Sequence, residues 1–366
     1  MMNNFYRSLT QCNRFILIIP IILSIAGILT IAGISCNAGT FPSREVIIQS
    51  AALLAGIIMI TLIMKLGCRY FTDLEWFIYI ISVFFLLSVY IPGAGTTFYG
   101  SRSWLDIGFI TIQPSEFVKT SFVIVMASYL TRRSGSLQSI SEVLKAALYG
   151  IPFIFIVAKE DFGSGCVFCA IWLFMVFCRG LELEMLAKAV LVLAAASPLF
   201  YYFLAGYQKD RIDAFFNPDD LDLPGNYQVW NAKAAVGSGG LWGKGYMNGT
   251  QAQLGFLPVP ESDFVFAATV EVFGFLGGAA IILLFTILII QILKTAKYAS
   301  DLEGTLICAG FAGMFTFQAF ENIAMNMGIM PVTGITLPFM SYGGSSMLSA
   351  MMSIGFILDV SCRQKL

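Results

Sequence analysis

Asp263 stands where a long polar stretch gives way to a very apolar one. The run Gly249-Thr250-Gln251-Ala252-Gln253-Leu254-Gly255-Phe256-Leu257-Pro258 precedes it, and Glu261-Ser262-Asp263-Phe264-Val265-Phe266 carries the chain across the boundary. A carboxylate in such a place has three uses. It can serve as a general base, it can ligate a hard divalent cation such as magnesium or manganese, or it can cap the helix that follows. Local sequence leaves all three open.

The chain contains no histidine. Ser-His triads, imidazole bases and imidazole metal ligands are therefore excluded together. Acid–base chemistry must come from Asp, Glu, Lys, Tyr or Cys. Glu271 lies two helical turns beyond Asp263, about 12 Å along the axis, which puts the two on one face and suggests a polar groove entering the apolar segment. Glu116 and Lys119, following Gln113-Pro114-Ser115, are three residues apart on one helical face. They make either a self-neutralising structural pair or a cation and carboxylate lining a polar cavity. Glu321, in Phe320-Glu321-Asn322, is a lone carboxylate in an apolar segment and should face the interior or a cationic partner. Lys244 lies in Gly243-Lys244-Gly245, after Gly237-Ser238-Gly239-Gly240. That spacing is wrong for a nucleotide phosphate loop, although a glycine-rich loop can offer backbone N–H groups to an anionic headgroup. Composition alone favours a flexible surface loop. Cys166 and Cys169 have redox-motif spacing but sit in an apolar run, where a core role is expected.

The elements that must position these residues are membrane helices. Of 366 residues, 58% are hydrophobic and only 12% charged, and the mean hydropathy is +0.81. A soluble chain is about 25% charged. The net charge of −1 and the lack of a basic run give no sign of a nucleic-acid partner. About ten stretches are long and apolar enough to span a bilayer, at roughly 15–35, 46–66, 75–93, 113–130, 143–158, 162–178, 185–205, 264–293, 303–327 and 335–360. The expected fold is all-α, a polytopic membrane protein of about ten transmembrane helices. A single membrane domain of residues 1–366 is expected, with a large extracytoplasmic loop, 206–262, between the seventh and eighth spans. Arg7 and Arg14 before the first apolar run fit a retained first helix better than a cleaved signal. With both termini cytoplasmic, most basic residues fall inside, among them Lys65, Arg69, Arg132, Arg133, Lys294 and Lys297. Few fall on the short outer segments: Arg44, Arg102 and Lys159. The long loop, Arg102 and Asp263 then face outward.

A series of segments, in order along nearly the whole chain, resembles the SEDS family of RodA, FtsW and SpoVE proteins. They are Ser101-Arg102-Ser103-Trp104-Leu105, Gln113-Pro114-Ser115-Glu116 with Lys119, and Asp161-Phe162-Gly163. Tyr207-Gln208 with Arg211-Ile212, the glycine runs 237–240 and 243–245, and Asp263-Phe264-Val265-Phe266 follow. Asn322-Ile323 and Pro331-Val332-Thr333-Gly334, leading into Pro338 to Ser346, complete it. The form of residues 249–258 resembles the RodA branch.

The resemblance implies a peptidoglycan glycosyltransferase in the bacterial cytoplasmic membrane. Such an enzyme polymerises lipid II on the outer face, for cell-wall elongation. It implies a class B penicillin-binding protein transpeptidase and other elongation-complex membrane proteins as partners. It places the essential acid on Asp263, acting as base or through a divalent cation, and polar cavity positions on Arg102, Glu116 and Lys119. Lys244 and Glu271 are further substrate-binding candidates. The competing readings are a lipid II flippase and a non-catalytic scaffold for the transpeptidase. The chain departs from the family pattern at Glu261, where a histidine is common, at Lys159-Glu160-Asp161, where Gln-Pro-Asp is common, and at Glu271-Val272, where Glu-Glu is common.

Overall fold

A computed structural model describes residues 13–35, 42–98, 101–106, 108, 111–133, 140–182, 184–185, 187–188, 191, 206–223 and 225–363. The expected span at 185–205 lies almost wholly outside the described residues. The others are present as helices: α1 (Arg14–Ser35), α2 (Arg44–Leu66), the short α3 (Cys68–Asp73), and α4 (Glu75–Leu87). After a small sheet come α5 (Pro114–Arg132), α6 (Ile140–Glu160) and α7 (Phe162–Cys178). Two helices of the long loop, α8 (Gly206–Phe216) and α9 (Asn226–Ser238), precede α10 (Val265–Lys297), α11 (Leu302–Asn326) and α12 (Gly344–Cys362). Among the described residues, 6 helices are long and apolar enough to cross a membrane, namely α1, α2, α6, α10, α11 and α12; α4 and α7 are shorter apolar helices. This is a multi-pass membrane protein.

The bundle has an inside and a lipid-facing outside. The apolar windows of α11 and α12 are 78% and 83% buried, against 22% for α6 and 28% for α2 and α10. The peripheral helices expose large apolar side chains such as Leu54, Ile58, Leu148, Phe155 and Leu283, which only a lipid surround accommodates at such density. Within the bundle, α12 packs on α2, and α11 packs on both α7 and α10. Cys166 and Cys169 correct an expectation: Cys169 is exposed and Cys166 only partly buried on α7, so the pair is not core.

Four further departures from the expected fold concern the end of the bundle that carries the loop. First, the protein is not purely helical. β1 (Gly95–Phe98), β2 (Ser101–Asp106) and β3 (Thr111–Ile112) form an antiparallel sheet in that order, with Thr96 opposite Trp104 and Leu105 opposite Ile112. Thr and aromatic residues suit a pleated surface, but strands this short leave little periodic signal. Second, the long loop is built from helices and turns rather than slack chain. Third, the last helix begins at Gly344, not near 335. Pro338 disfavours helix before it, Phe339 takes a left-handed φ of 67°, and Gln49 holds the turn by donating to Ser341 O (2.8 Å) and accepting from Gly343 N (3.1 Å). The non-helical stretch 331–343 is buried or half-buried against the rest of the protein, where irregular backbone can find hydrogen-bond partners.

Fourth, α10 is broken. Gly274 adopts φ 70°, ψ −169°, a conformation open essentially to glycine alone. The break opens the helical rungs from Glu271 O to Phe275 N and from Val272 O to Leu276 N. The glycine loop rebuilds both. Lys244 N donates to Glu271 O (2.9 Å) and Gly245 N to Val272 O (3.1 Å), while Phe275 N and Leu276 N donate to Gly240 O (2.8 Å) and Leu241 O (3.3 Å). A side chain on Gly243 would run into the α10 backbone, its Cβ 2.6 Å from Gly274 N. Gly239 and Gly243 are thus explained by close backbone approach to the broken helix, and Gly240 and Gly245 by left-handed φ values of 56° and 93°.

Candidate active site

Asp263 sits at the junction of the loop and α10, partly buried. It does not cap the helix. The cap position is Phe264, whose side chain offers no acceptor. The first-turn N–H of Ala267 is instead taken by Asn326 Oδ1 from α11 at 2.9 Å. The Asp263 carboxylate is left with the Ser262 hydroxyl, which donates to its Oδ1 at 3.0 Å. Its Oδ2 points past Gly334, 3.7 Å from where a β-carbon there would stand.

Charged groups gather around this carboxylate. Arg211 of α8 is anchored by Nη1 to Thr333 O at 2.9 Å and lies within electrostatic reach of Asp263, Asp161 and Glu321. Asp161 caps α7, accepting from Ser164 N (3.1 Å) and Ser164 Oγ (2.7 Å). Glu321, 1% exposed, accepts from the Thr333 hydroxyl through Oε1, and its Oε2 is buried without a hydrogen-bond partner. Burial pushes the Asp263 carboxyl above the ordinary carboxylate range; the Ser262 hydroxyl and Arg211 pull it back, and Asp161 and Glu261 push it further up. Burial raises Asp161 as well, against the Ser164 hydrogen bonds and the charges of Lys119 and Arg211.

Arg102, on β2, borders a small cleft lined also by Ser103, Ser115, Glu160 and Asp161. Its Nη2 donates to Ile91 O at 3.3 Å, and its backbone N–H donates to Glu160 Oε2 at 3.3 Å. Behind the cleft Lys119 Nζ meets Glu116 Oε1 at 2.7 Å, with both side chains buried. The i,i+3 geometry read from the sequence is therefore real, and the pair is closed on itself in this state. Arg102, Glu116, Lys119 and Asp263 are brought to one region through Asp161.

Lys244 and Glu271 are not. The expected groove from Asp263 down to Glu271 is corrected by the structure. Glu271 is fully buried and its Oε1 accepts from Lys244 Nζ (2.7 Å), Thr250 N (2.7 Å), Thr250 Oγ1 (3.1 Å) and Gln251 N (2.8 Å). Its Oε2 accepts from Ala252 N at 3.2 Å. A carboxylate so occupied has no capacity for substrate. It pins residues 250–252 onto α10, and Lys244 balances its charge.

No group of three or more His, Cys, Asp or Glu among the described residues converges to cage a metal. The oxygen donor of Asp263 still suits a hard cation, since magnesium is commonly held by one or two carboxylates together with substrate phosphates and water.

The cell cycle protein family of FtsW, RodA and SpoVE matches residues 13–366 of this chain. The chain belongs to that family. Relatives include stage V sporulation protein E of Bacillus subtilis, 35% identical over 84% of this chain and 85% of that protein. Peptidoglycan glycosyltransferase MrdB of Escherichia coli K12 is 31% identical over 85% of this chain and 84% of its own. A chain from a solved peptidoglycan synthase complex, in which polymerization and crosslinking are coordinated, superposes with a TM-score of 0.81 at 26% identity, covering 96% of this chain and 97% of that one. The crystal structure of the rod shape determining protein RodA of Thermus thermophilus shares the fold, with a TM-score of 0.71 at 24% identity over 97% of this chain and 98% of that one.

As a member of the FtsW, RodA and SpoVE family, the chain shows which neighbours of Asp263 the sequence reading left out. Arg211, Asp161 and Asn322 all stood in the motif series, but their sequence distance from Asp263 hid their convergence. Glu321 faces the interior, the first of the two alternatives its place in an apolar segment allows, and its hydrogen-bond partner is the Thr333 hydroxyl. Asn326 carried no signal, being a polar residue at a helix end like many others.

Proposed function

We propose that this chain is a peptidoglycan glycosyltransferase that polymerises lipid II at the outer face of the bacterial cytoplasmic membrane. The observation that carries this reading is the Asp263 carboxylate, relieved of helix capping and set beside Arg211 at a loop–helix junction. In the proposed step the 4-hydroxyl of the acceptor sugar attacks the anomeric carbon of the donor. The new C–O bond forms as the bond to the lipid pyrophosphate breaks, and the hydroxyl proton passes to Asp263. A sugar hydroxyl is a weak nucleophile, and a positioned base contributes on the order of 10²- to 10⁴-fold. Burial, by raising the carboxyl, makes it a stronger base while it remains ionised.

Arg102 on the cleft rim suits the pyrophosphate, because a guanidinium can bind phosphate oxygens bidentately. Lys119, closed on Glu116, supplies positive charge from below. Asp263 is the residue that would hold a divalent cation, and such an ion would supply neutralisation of charge on the leaving pyrophosphate. The whole of residues 1–366 acts as one membrane domain of about ten spans. Both termini are cytoplasmic, and residues 206–262 form the outer loop between the seventh and eighth spans. A class B penicillin-binding protein is the partner that crosslinks the product, alongside other elongation-complex membrane proteins.

The test is reconstitution of the purified chain with its transpeptidase partner on lipid II displayed on one face of a vesicle. Glycan polymer on that face supports the enzyme. Movement of headgroups across the bilayer without polymer would instead identify a flippase, and neither activity from a folded complex would identify a scaffold.

A further inference from the structure

We propose that Asn322 and Asn326 of α11 are positioning residues for the Asp263 carboxylate: by capping α10 from a neighbouring helix, they keep that carboxylate from turning back onto its own helix. This rests on Asp263 being the base. The first turn of any helix carries N–H groups without intrahelical partners, and aspartate is among the best side chains to satisfy them. Phe264 in the cap position cannot do so. Asp263 is adjacent, and the positive end of the helix dipole would draw its charge.

The two asparagines remove that competition. Asn326 Oδ1 accepts from Ala267 N at 2.9 Å, at the third helical position where a cap side chain normally bonds. Its Nδ2 donates to Asp263 O at 3.0 Å and to Asn322 O at 2.8 Å. Asn322 Nδ2 donates to the same Asp263 O at 3.0 Å and to Ile335 O at 2.8 Å. The backbone of Asp263 is thus gripped by two donors while its helix is capped by an acceptor beside them. Asn322 and Asn326 are four residues apart, hence on one helical face, and both are 0% exposed. Only a side chain with a donor and an acceptor on one planar group meets these demands at 326. Aspartate lacks the donor. Asn322 also ties in the stretch that contains Gly334, the residue next to Asp263 Oδ2. The charged groups facing Asp263 are Arg211, Asp161, Glu261 and Glu321, and none of them belongs to the asparagine pair.

The experiment measures kcat, KM and the pH profile of polymerisation for the purified full chain with its transpeptidase partner. Wild type is compared with Asn326→Ala, Asn326→Asp, Asn322→Ala and Asp263→Asn, each normalised to folded protein. In Asn326→Ala the freed Ala267 N–H recruits the Asp263 carboxylate. A hydrogen bond to the charged form favours it, so the acid limb moves to lower pH. At the same time kcat falls on the order of tenfold to a hundredfold at unchanged KM. Asn322→Ala lowers kcat with little movement of the limb. Asn326→Asp keeps the acceptor and adds a negative charge, so its limb stays at or above that of wild type. A structural role alone would reduce the folded fraction and leave the limb in place. Wild-type kcat and acid limb in folded Asn326→Ala would overturn the proposal. If that variant does not fold, a downward limb in Asn326→Asp would do so. Asp263→Asn reports on the underlying reading separately: its activity would overturn the base assignment whatever the asparagines do.

Discussion

At the scale of single residues, the chemistry turns on one carboxylate held in a poor environment for charge. Asp263 is raised by burial, with Ser262 and Arg211 opposing the rise. The base works when ionised, so activity should fall as pH drops through a value above the ordinary aspartate value of about 3.9. A pH–rate profile checks this, and an acid limb at or below that value contradicts it. The same shift has a stability consequence. A folded-state value above the unfolded one means the folded protein binds the proton more tightly. That contribution is full at low pH and is lost as pH rises through the folded value. At neutral pH the ionised side chain is therefore a cost, and Asp263→Asn should hold or raise the thermal midpoint while activity collapses. An N-cap role would instead show in Asp263→Ala as a loss of about 1 kcal/mol, since asparagine caps a helix as well as aspartate does. Asp263 was legible in the sequence because an acid at a polar–apolar boundary is unusual. Its freedom from capping was not, because the cap comes from Asn326 on another helix.

At the scale of elements, the broken α10 and the loop that splints it form one unit. Gly274→Ala should cost about 1–3 kcal/mol for the backbone conformation alone. The added methyl would also press on Leu241, whose carbonyl carbon lies 2.6 Å from the β-carbon position. A thermal shift in detergent measures it, and an unchanged midpoint would show that the break is dispensable. Glu271→Ala should be at least as damaging. It frees the N–H groups of residues 250–252 and leaves Lys244 without its carboxylate, where hydrogen bonds to a charged group are each worth about 1.5–3 kcal/mol. Lys244→Ala should be milder, because Glu271 keeps its backbone donors and Lys244 is partly exposed. The helices themselves were legible from apolar length. The break was not: Gly274 reads as one more glycine in an apolar run, and its φ follows from the loop packed against it. The sheet escaped notice for a related reason, since β1 and β3 are too short to show alternation. Glu271 misled because helical spacing gives a side chain's direction along the axis, while its partners are set by a loop some 20 residues upstream.

At the scale of the whole molecule, α11 and α12 form the interior and α2, α6 and α10 meet lipid, so the polar site is confined to one end of the bundle. With that end outward, a protease added to spheroplasts should cut at the exposed turn Asp219–Asp222, and inverted vesicles should protect it. The opposite pattern would reverse the orientation. The membrane class followed directly from composition, and the family from motif order. The way distant segments meet at Asp263 required the fold: α8 brings Arg211, the cap of α7 brings Asp161, and α11 brings Glu321, Asn322 and Asn326. The account stands on what that meeting point does. Its most direct test is glycan synthesis from lipid II by the purified Asp263→Asn variant with its transpeptidase partner. A folded, monodisperse variant is expected to lose polymer formation by on the order of 10²-fold or more, and glycan chains of wild-type yield and length from that variant would contradict the account.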